Sequence, residues 1–435
     1  MQTSVGNDNF YGFSNPQKLA AKYGTPLYVY NEKVLRKCCQ DIMSIAKSAG
    51  MEASYSVKAN SNPALLAIIR EEGFHADAMS PGELEMDKLA GWQAEDVFYI
   101  SNNIAPAEML EAIRQGCLVS VDSLSQLEMF GLIANALNKK PCCFQKDRED
   151  AACGYRVMVR MNPGIGAGHS DKVVTGGSKT KFGVSLEKLP DLLKLLKEYN
   201  LTLAGLNQHI GSLFLEPEPY LEAAKILLHF AGELPEHIFK HLEYLDFGGG
   251  FGISYHKEGQ SLDLEATAAG LKNLLEPWRA RSAYAGKFLM EPGRYVVAQC
   301  GKLLGQVTSV KENAGINYAG TDLGFNVLMR PVLYDAYHEI ETYGAEGEPI
   351  PQTITGNICE SGDILAKNRM LPPLSPGNLI IVADTGAYGF SMASNYNERL
   401  LPAEILIQAD GHERLIRRRQ TIDDLKTCLE GMGAN

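Results

Sequence analysis

Residues Ala53–Met79 read ASYSVKANSNPALLAIIREEGFHADAM. A β-prone run, Ala53–Val57, ends at Lys58; apolar residues then fall at helical spacing over Pro63–Arg70, and a second β-prone run, His75–Met79, follows Gly73. Strand, helix, strand in that order is the unit of a parallel sheet. Working outward, the same run recurs at Val97–Ile100, Cys117–Val121, Tyr155–Met161, Leu203–Gln208, Leu242–Phe247 and Lys287–Met290. The segments between them, such as Pro81–Ala90, Pro106–Gln115 and Leu186–Tyr199, carry Leu, Ile and Ala at helical intervals. Eight βα units in about 240 residues predict an α/β fold of the (β/α)8 TIM-barrel type.

After Arg294 the texture changes to alternating runs, Lys302–Val310, Leu379–Ala383 and Glu404–Gln408, separated by Gly- and Pro-rich turns. These predict an antiparallel β domain. Pro26–Tyr30 (PLYVY) reads as a strand with no helix before it and is assigned to that second domain. The expected division is a barrel over 33–290 and a β domain built from 1–32 and 291–435, with Cys142–Gly154 as an inserted surface loop.

The 435 residues are 45% hydrophobic and 21% charged, enough apolar material for a packed core. Forty-one Lys and Arg against 52 Asp and Glu leave a net charge of -11, which argues against a nucleic-acid partner. No apolar run approaches the ~18 residues of a membrane span. Met1–Phe13 lacks a basic-then-apolar signal pattern, so a cytoplasmic protein is expected. Nine cysteines without Cys-x-x-Cys or zinc-type Cys and His spacing read as reduced thiols, and no metal is expected.

Polar residues stand directly after the predicted strands: Lys58, Ser80, Asn102 and Asn103, Asp122, Asn162, His209, Gly248–Gly250 and Glu291. In a parallel barrel these converge on the mouth where active sites are built. Ser80 and Asp122 read equally well as helix caps, but capping does not account for a Lys, a His and a Glu together. A lysine in a semi-apolar mouth has its pKa lowered by desolvation, as a Schiff-base amine requires. The glycines of Asp246–Gly252 (DFGGGFG) let backbone N–H groups approach an anion such as phosphate, although a lone glycine run also suits a tight turn. Glu291, opening EPGR, would keep a pyridine nitrogen protonated, and His209, opening HIGS, would stack on a flat ring. Together these point to pyridoxal 5'-phosphate (PLP).

The ordered set YSVKAN (Tyr55–Asn60), HIGS (His209–Ser212), GGGFG, EPGR (Glu291–Arg294), CESGD (Cys359–Asp363) and GAYGFSMASNYN (Gly386–Asn397) resembles the fold-type III PLP-dependent decarboxylases, most closely the diaminopimelate decarboxylase family. The likeness runs from about Gly24 to Arg418. It implies removal of CO2 from meso-2,6-diaminopimelate to leave L-lysine, the last step of lysine biosynthesis. It further implies Lys58 as the Schiff-base lysine, His209 against the ring, Glu291 on the pyridine nitrogen, and Ser212, Gly249, Gly250, Gly293 and Tyr388 around the phosphate, with Asp77 and Arg294 near the cofactor. Arg294, Arg330 and Tyr334 would hold the substrate's distal carboxylate and Glu360 its distal ammonium, with Tyr388 also reaching the substrate. Cys359 would return a proton to the α-carbon. By the same resemblance the enzyme is a homodimer whose sites are shared, Cys359 and Glu360 serving the other subunit. The chain departs from the family's pattern at Leu213 and Phe214, which alters packing near the phosphate without removing a charged contact. Gly164–Lys181 resembles a covering loop, and its lysines also read as solvated charges. A decarboxylase of another basic amino acid (ornithine, arginine, carboxynorspermidine), a non-catalytic PLP carrier and a racemase are the competing readings. Arg330 with Tyr334 disfavours simple diamine producers, the second domain disfavours the carrier, and Glu291 disfavours the racemase, which gains from a weaker electron sink.

Overall fold

Asn15 and Pro16 start a helix that sequence patterning missed, Pro16–Tyr23. The Asn15 side chain accepts the Lys18 N–H at 2.8 Å, proline takes the first helical turn where no N–H is needed, and Gly24 ends it. Eight residues with two buried positions are too short for a periodic signal. The helix leads into β1 (Leu27–Asn31), buried along its whole length. The computed structural model describes residues 9–137, 155–166, 175–177 and 180–430. The proposed inserted loop Cys142–Gly154, and most of the segment between Gly166 and Lys181, lie outside the described residues.

The chain divides into two compact units, one of Cys38–Ser254 with Gln260–Val296, the other of Met1–Lys37, Tyr255–Gly259 and Val297–Asn435. In the first, β2 (Met51–Ser56), β3 (His75–Ala78), β4 (Val97–Ile100), β5 (Leu118–Val121), β6 (Arg156–Arg160), β7 (Thr202–Asn207), β8 (Tyr244–Asp246) and β9 (Lys287–Met290) form a closed parallel barrel. Pairing of β2 with β9, Met51 opposite Phe288, closes it. The strands are buried on both faces, so they read as continuous apolar runs. Phe98, Ile100, Met158 and Leu289 form a buried cluster from three strands, packed by Met79, Leu118 and Tyr244. Truncating Leu289 to alanine there costs about 2–5 kcal/mol. Several of the surrounding helices start on side-chain caps, Ser80 to the Glu83 N–H and Ser123 to the Gln126 N–H among them. Ser80 is therefore a cap, whereas Asp122 is not, because Ser123 takes that place.

The second unit is a sheet of nine strands among the described residues. It contains β1 with β10 (Gly301–Asn313), β11 (Ile316–Thr321), β12 (Ile340–Tyr343), β13 (Ile350–Thr355), β14 (Ile364–Leu371), β15 (Leu379–Val382), β16 (Ala403–Ile407) and β17 (Glu413–Arg417). The main path runs β14-β13-β11-β10-β1-β16-β17, with β15 joining β10 and β12. The N-terminal strand thus belongs to this sheet, but the sheet is mixed where an antiparallel one was expected. β1 runs parallel to β16 and β11 parallel to β13. β1 enters from the far end of the chain, so no tight hairpin dictates its direction, and the long β11–β13 crossover allows a parallel return. Leu19, Leu27, Val29, Leu304, Ile381, Ile405 and Ile407 form its core. Among the described residues no helix is long and apolar enough to cross a membrane, and Cys38, Cys39, Cys117, Cys300, Cys359 and Cys428 are free thiols.

Candidate active site

The C-terminal ends of the barrel strands gather nine of the candidate residues within one unit. Lys58 sits in a single 3-10 turn, Val57–Ala59, directly after β2, with its amine 3.9 Å from Asp77 Oδ2. Asp77, fully buried on β3, faces the Ser56 hydroxyl at 3.0 Å, and the same hydroxyl lies 3.2 Å from the Glu291 carbonyl oxygen. Glu291 follows β9 and is buried, its Oε2 3.6 Å from Nδ1 of His209. Nδ1 also accepts the Gly249 N–H at 3.1 Å. A ring nitrogen that accepts carries no proton, so the His209 proton belongs on Nε2 and the 3.6 Å approach is a charge–dipole contact. Burial, then Lys58 and Arg160, pull the His209 pKa down and favour this neutral ring, although Glu291 opposes them.

Asp77, Asp246 and Glu291 are buried carboxyls of the mouth, with Asp122 after β5 beside them. Burial and then Glu291 push Asp77 well above the usual carboxylate range, and burial and Glu291 do the same to Asp246. Burial raises Glu291 too, but the group is left lowered by the His209 ring when that ring is charged and by Lys58 and Asp246. Negative charge therefore concentrates on Glu291.

The glycine run after β8 is held by the turn after His209. Leu213 and Phe214 donate backbone bonds to the Gly250 carbonyl at 2.9 and 3.2 Å, and Gly252 donates to Phe214 O at 3.0 Å. Phe214, one of the two departures from the family's pattern, packs on Tyr220 and Phe251 with centroids 5.6 Å away in each case. A Cβ on Gly250, whose φ is +113°, would overlap the Phe214 ring and lie 2.7 Å from Gly211 O; one on Gly249 would overlap the Glu291 carbonyl oxygen. Glycine is needed at both places. Ser212 Oγ accepts from Arg294 Nη2 at 3.0 Å and Nε at 3.2 Å, and Gly293 packs against Ser56 and Ala59.

The remaining candidates belong to the second unit. Arg330 is buried, with Nη1 2.7 Å from His338 Nε2 and its guanidinium 4.3 Å from the Tyr255 ring centroid. His338 Nδ1 meets the Ala383 carbonyl at 2.8 Å, so Nδ1 donates there and Nε2 accepts from the arginine. Half-buried Tyr334 closes the short helix Arg330–Tyr334. Tyr388 is also half-buried, at a left-handed φ of +55°. Cys359 and Glu360 are exposed. Their loop is fixed by Asp363, whose two oxygens accept the Phe325 and Ile358 N–H groups at 2.8 Å each. Glu360 Oε1 accepts the Tyr396 hydroxyl at 2.6 Å, and that bond raises the tyrosine's pKa.

Two mouth residues were given no role by sequence. Arg160 ends β6, donates to the His209 carbonyl at 3.3 Å and lies 4.4 Å from the Phe182 ring centroid. Burial lowers its pKa, against the pull of Glu291, Asp122, Asp77 and Asp246. The signal was the two-residue period, which places Arg160 on the face of the strand that carries Met158 into the barrel. Asp246 was quoted in the glycine motif but left without a task. Asn162 instead organises its own loop, accepting from Gly164 N and donating to Phe182 O, each at 2.9 Å.

Residues 34–298 match the family model described as "Pyridoxal-dependent decarboxylase, pyridoxal binding domain". The diaminopimelate decarboxylase of Methanothermobacter thermautotrophicus is 35% identical over 419 residues, covering 95% of this chain and 94% of the relative. That of Escherichia coli K12 is 33% identical over 430 residues, covering 94% and 95%. Among solved structures, diaminopimelate decarboxylase from Helicobacter pylori complexed with L-lysine aligns with a TM-score of 0.84 at 29% identity, covering 95% of this chain and 98% of the other. The chain belongs to the diaminopimelate decarboxylase family of pyridoxal-dependent decarboxylases.

Proposed function

We propose that the protein decarboxylates meso-2,6-diaminopimelate to L-lysine and CO2 with PLP as cofactor. The observation that carries this reading is Glu291, a buried carboxylate on which the mouth concentrates its negative charge, beside Lys58. The mouth fits the cofactor: Glu291 Oε1 and Asp77 Oδ1 are buried and have no hydrogen-bond partner among the described residues, and the glycine run leaves a cradle that side chains would fill. When bound, PLP supplies an electron sink for the charge left as CO2 departs.

Around it, Glu291 would keep the pyridine nitrogen protonated, neutral His209 would lie on the ring face, and Lys58 would provide the anchoring amine. Ser212, Gly249, Gly250, Gly293 and Tyr388 would take the phosphate. Asp77, held by Ser56, would set the position of the Lys58 amine. A substrate with a zwitterionic far end calls for guanidinium forks and a carboxylate held apart. Arg294, Arg330 and Tyr334 would receive its distal carboxylate, and Glu360 its distal ammonium.

Cys359 and Glu360 stand exposed on a loop that Asp363 makes rigid, which suits residues that complete the site of a second copy in a homodimer. There the Cys359 thiol would deliver a proton to the substrate α-carbon, which becomes a CH2 group, while the product's single configuration is that of the distal centre, which does not react. The test is CO2 release by the PLP-loaded protein from meso-, LL- and DD-diaminopimelate, L-ornithine, L-arginine and carboxynorspermidine, with chiral analysis of the product. Release from the meso isomer with L-lysine formed is expected. Release from a different amine alone would reassign the distal pocket, and none from any of them would overturn the reading.

A further inference from the structure

We propose that His338 is a positioning residue that holds the Arg330 guanidinium as a neutral ring, fixing how the fork faces a substrate carboxylate without cancelling its charge. The proposal rests on the reading of Arg330 as a residue that receives the distal carboxylate. Arg330 opens the short helix Arg330–Tyr334, and Asp335 ends it at a left-handed φ of +52°. The chain turns back there, the Ala336 N–H reaching the Arg330 carbonyl at 3.4 Å, and brings His338 beside the arginine that stands eight residues earlier. Both residues are only 1% exposed. Nη1 of Arg330 lies 2.7 Å from His338 Nε2, and its guanidinium carbon 4.3 Å from the Tyr255 ring centroid. The Tyr255 and His338 rings meet edge to face with centroids 5.0 Å apart.

Hydrogen-bond chemistry decides the state of the ring. A guanidinium has only donors, so the Nε2 that faces it accepts and carries no proton. Nδ1, 2.8 Å from the Ala383 carbonyl oxygen, donates. The two partners together select the neutral Nδ1–H tautomer, because an imidazolium would set a second N–H and a second positive charge against the arginine at 2.7 Å. The His338 backbone is held as well. Its carbonyl accepts Arg369 Nη2 at 3.1 Å, and the Arg369 guanidinium lies 3.6 Å from the Tyr337 ring, which stacks on His256 at 3.7 Å. Tyr255 thus lies against the Arg330 fork and His338 fixes one edge of it, two constraints that orient a planar group. A carboxylate in the place of His338 would orient the fork equally well but would neutralise it. Asp384, next to Ala383, also acts on Arg330, but burial lifts its carboxyl to about 7 against the pull of Lys302 and Arg330, so it is only partly ionised near neutral pH.

Glutamine and glutamate separate orientation from charge, since they share one shape and both accept from an arginine. In the PLP-loaded protein, His338→Gln should keep KM for meso-diaminopimelate within about three-fold of wild type, whereas His338→Ala and His338→Glu should each raise it about ten-fold or more, the size of a hydrogen bond to a charged group. kcat should move far less than KM in all three, because the distal carboxylate is held alike before and during the reaction. Equal KM values for the Gln and Glu variants, or a loss confined to kcat, would overturn the proposal. The protons of the ring are read in the wild type by neutron diffraction, which needs no variant to fold. A proton on Nδ1 and none on Nε2 is expected, and one on Nε2 overturns the proposal. An Arg330→Ala variant with KM unmoved, in a protein whose ring shows the expected tautomer, would instead sink the distal-carboxylate reading of Arg330.

Discussion

Gly249→Ala tests whether the glycine run and Glu291 are one mechanical unit. The added Cβ would overlap the Glu291 carbonyl oxygen and stand 2.8 Å from its carbonyl carbon, both backbone atoms that no rotamer change can move aside. Glu291 is also bonded through its own N–H to the Gly248 carbonyl, so it can retreat only by breaking that bond or by shifting the end of β9. Overpacking of this kind costs about 1–3 kcal/mol, and a barrel of this size should melt roughly 2–12 °C lower as a result. The larger effect should fall on the cofactor. Displacing Glu291 by a few tenths of an ångström also disturbs the Gly249 N–H bond that fixes the His209 tautomer. PLP affinity should drop at least ten-fold, on the order of 1.4 kcal/mol, read by equilibrium titration of the visible absorbance of the bound cofactor against calorimetric melting of the cofactor-free protein. An alanine variant that binds PLP within a factor of about two of wild type and melts at the same temperature would refute the coupling.

Lys58→Ala should abolish borohydride trapping of PLP; retained trapping would move the anchoring role to another lysine. Cys359→Ala should lower kcat far more than it raises KM, and an unchanged kcat would remove the thiol from the reaction. Glu360→Ala should raise KM for diaminopimelate, and mixing it with Lys58→Ala should restore part of the activity through heterodimers that carry one intact shared site; verified heterodimers without activity would exclude sharing. Asp87 is buried with no partner for either carboxylate oxygen among the described residues, and burial, then Glu83, pushes its pKa up to about 8. That lies above the unfolded value of about 3.9, so stability should fall as pH rises from about 4 through 8. Asp87→Asn should flatten that slope and gain on the order of 2–4 kcal/mol near neutral pH; an unaltered pH–stability profile would show that the acid is solvated.

The barrel was legible because its strands are largely buried on both faces and the helices after the first two of them announce themselves with a cap and a proline, at Asn62 and Pro63 and at Ser80 and Pro81. Residues placed directly after a parallel strand must face the mouth, so Lys58, His209 and Glu291 could be gathered from order alone. Sheet direction in the second unit was not legible, since alternation tells which face a residue takes and nothing about which neighbour the strand will meet. β1 shows this most plainly, for it pairs with strands that lie some 270 to 380 residues further along the chain. The helix Pro16–Tyr23 escaped because two buried positions make no period.

Arg160 and Asp246 escaped for a different reason. Each takes its meaning from charges brought together by closure of the barrel: Arg160 lies among carboxyls on β3 and β8 and after β5 and β9, and the Asp246 carboxyl is raised by burial and then by Glu291. A sequence shows that acids stand at strand ends, but which of them is raised depends on what closure brings beside it. In this mouth the answer sets the whole electrostatic balance. With Asp246 and Asp77 both raised, Glu291 is the lowered carboxyl, and Lys58 and Arg160 act on it from the same unit. Lys58, Arg160 and Arg294 thus supply positive charge at the mouth, the sign that suits a phosphate in the glycine cradle and the carboxylates of an amino-acid substrate.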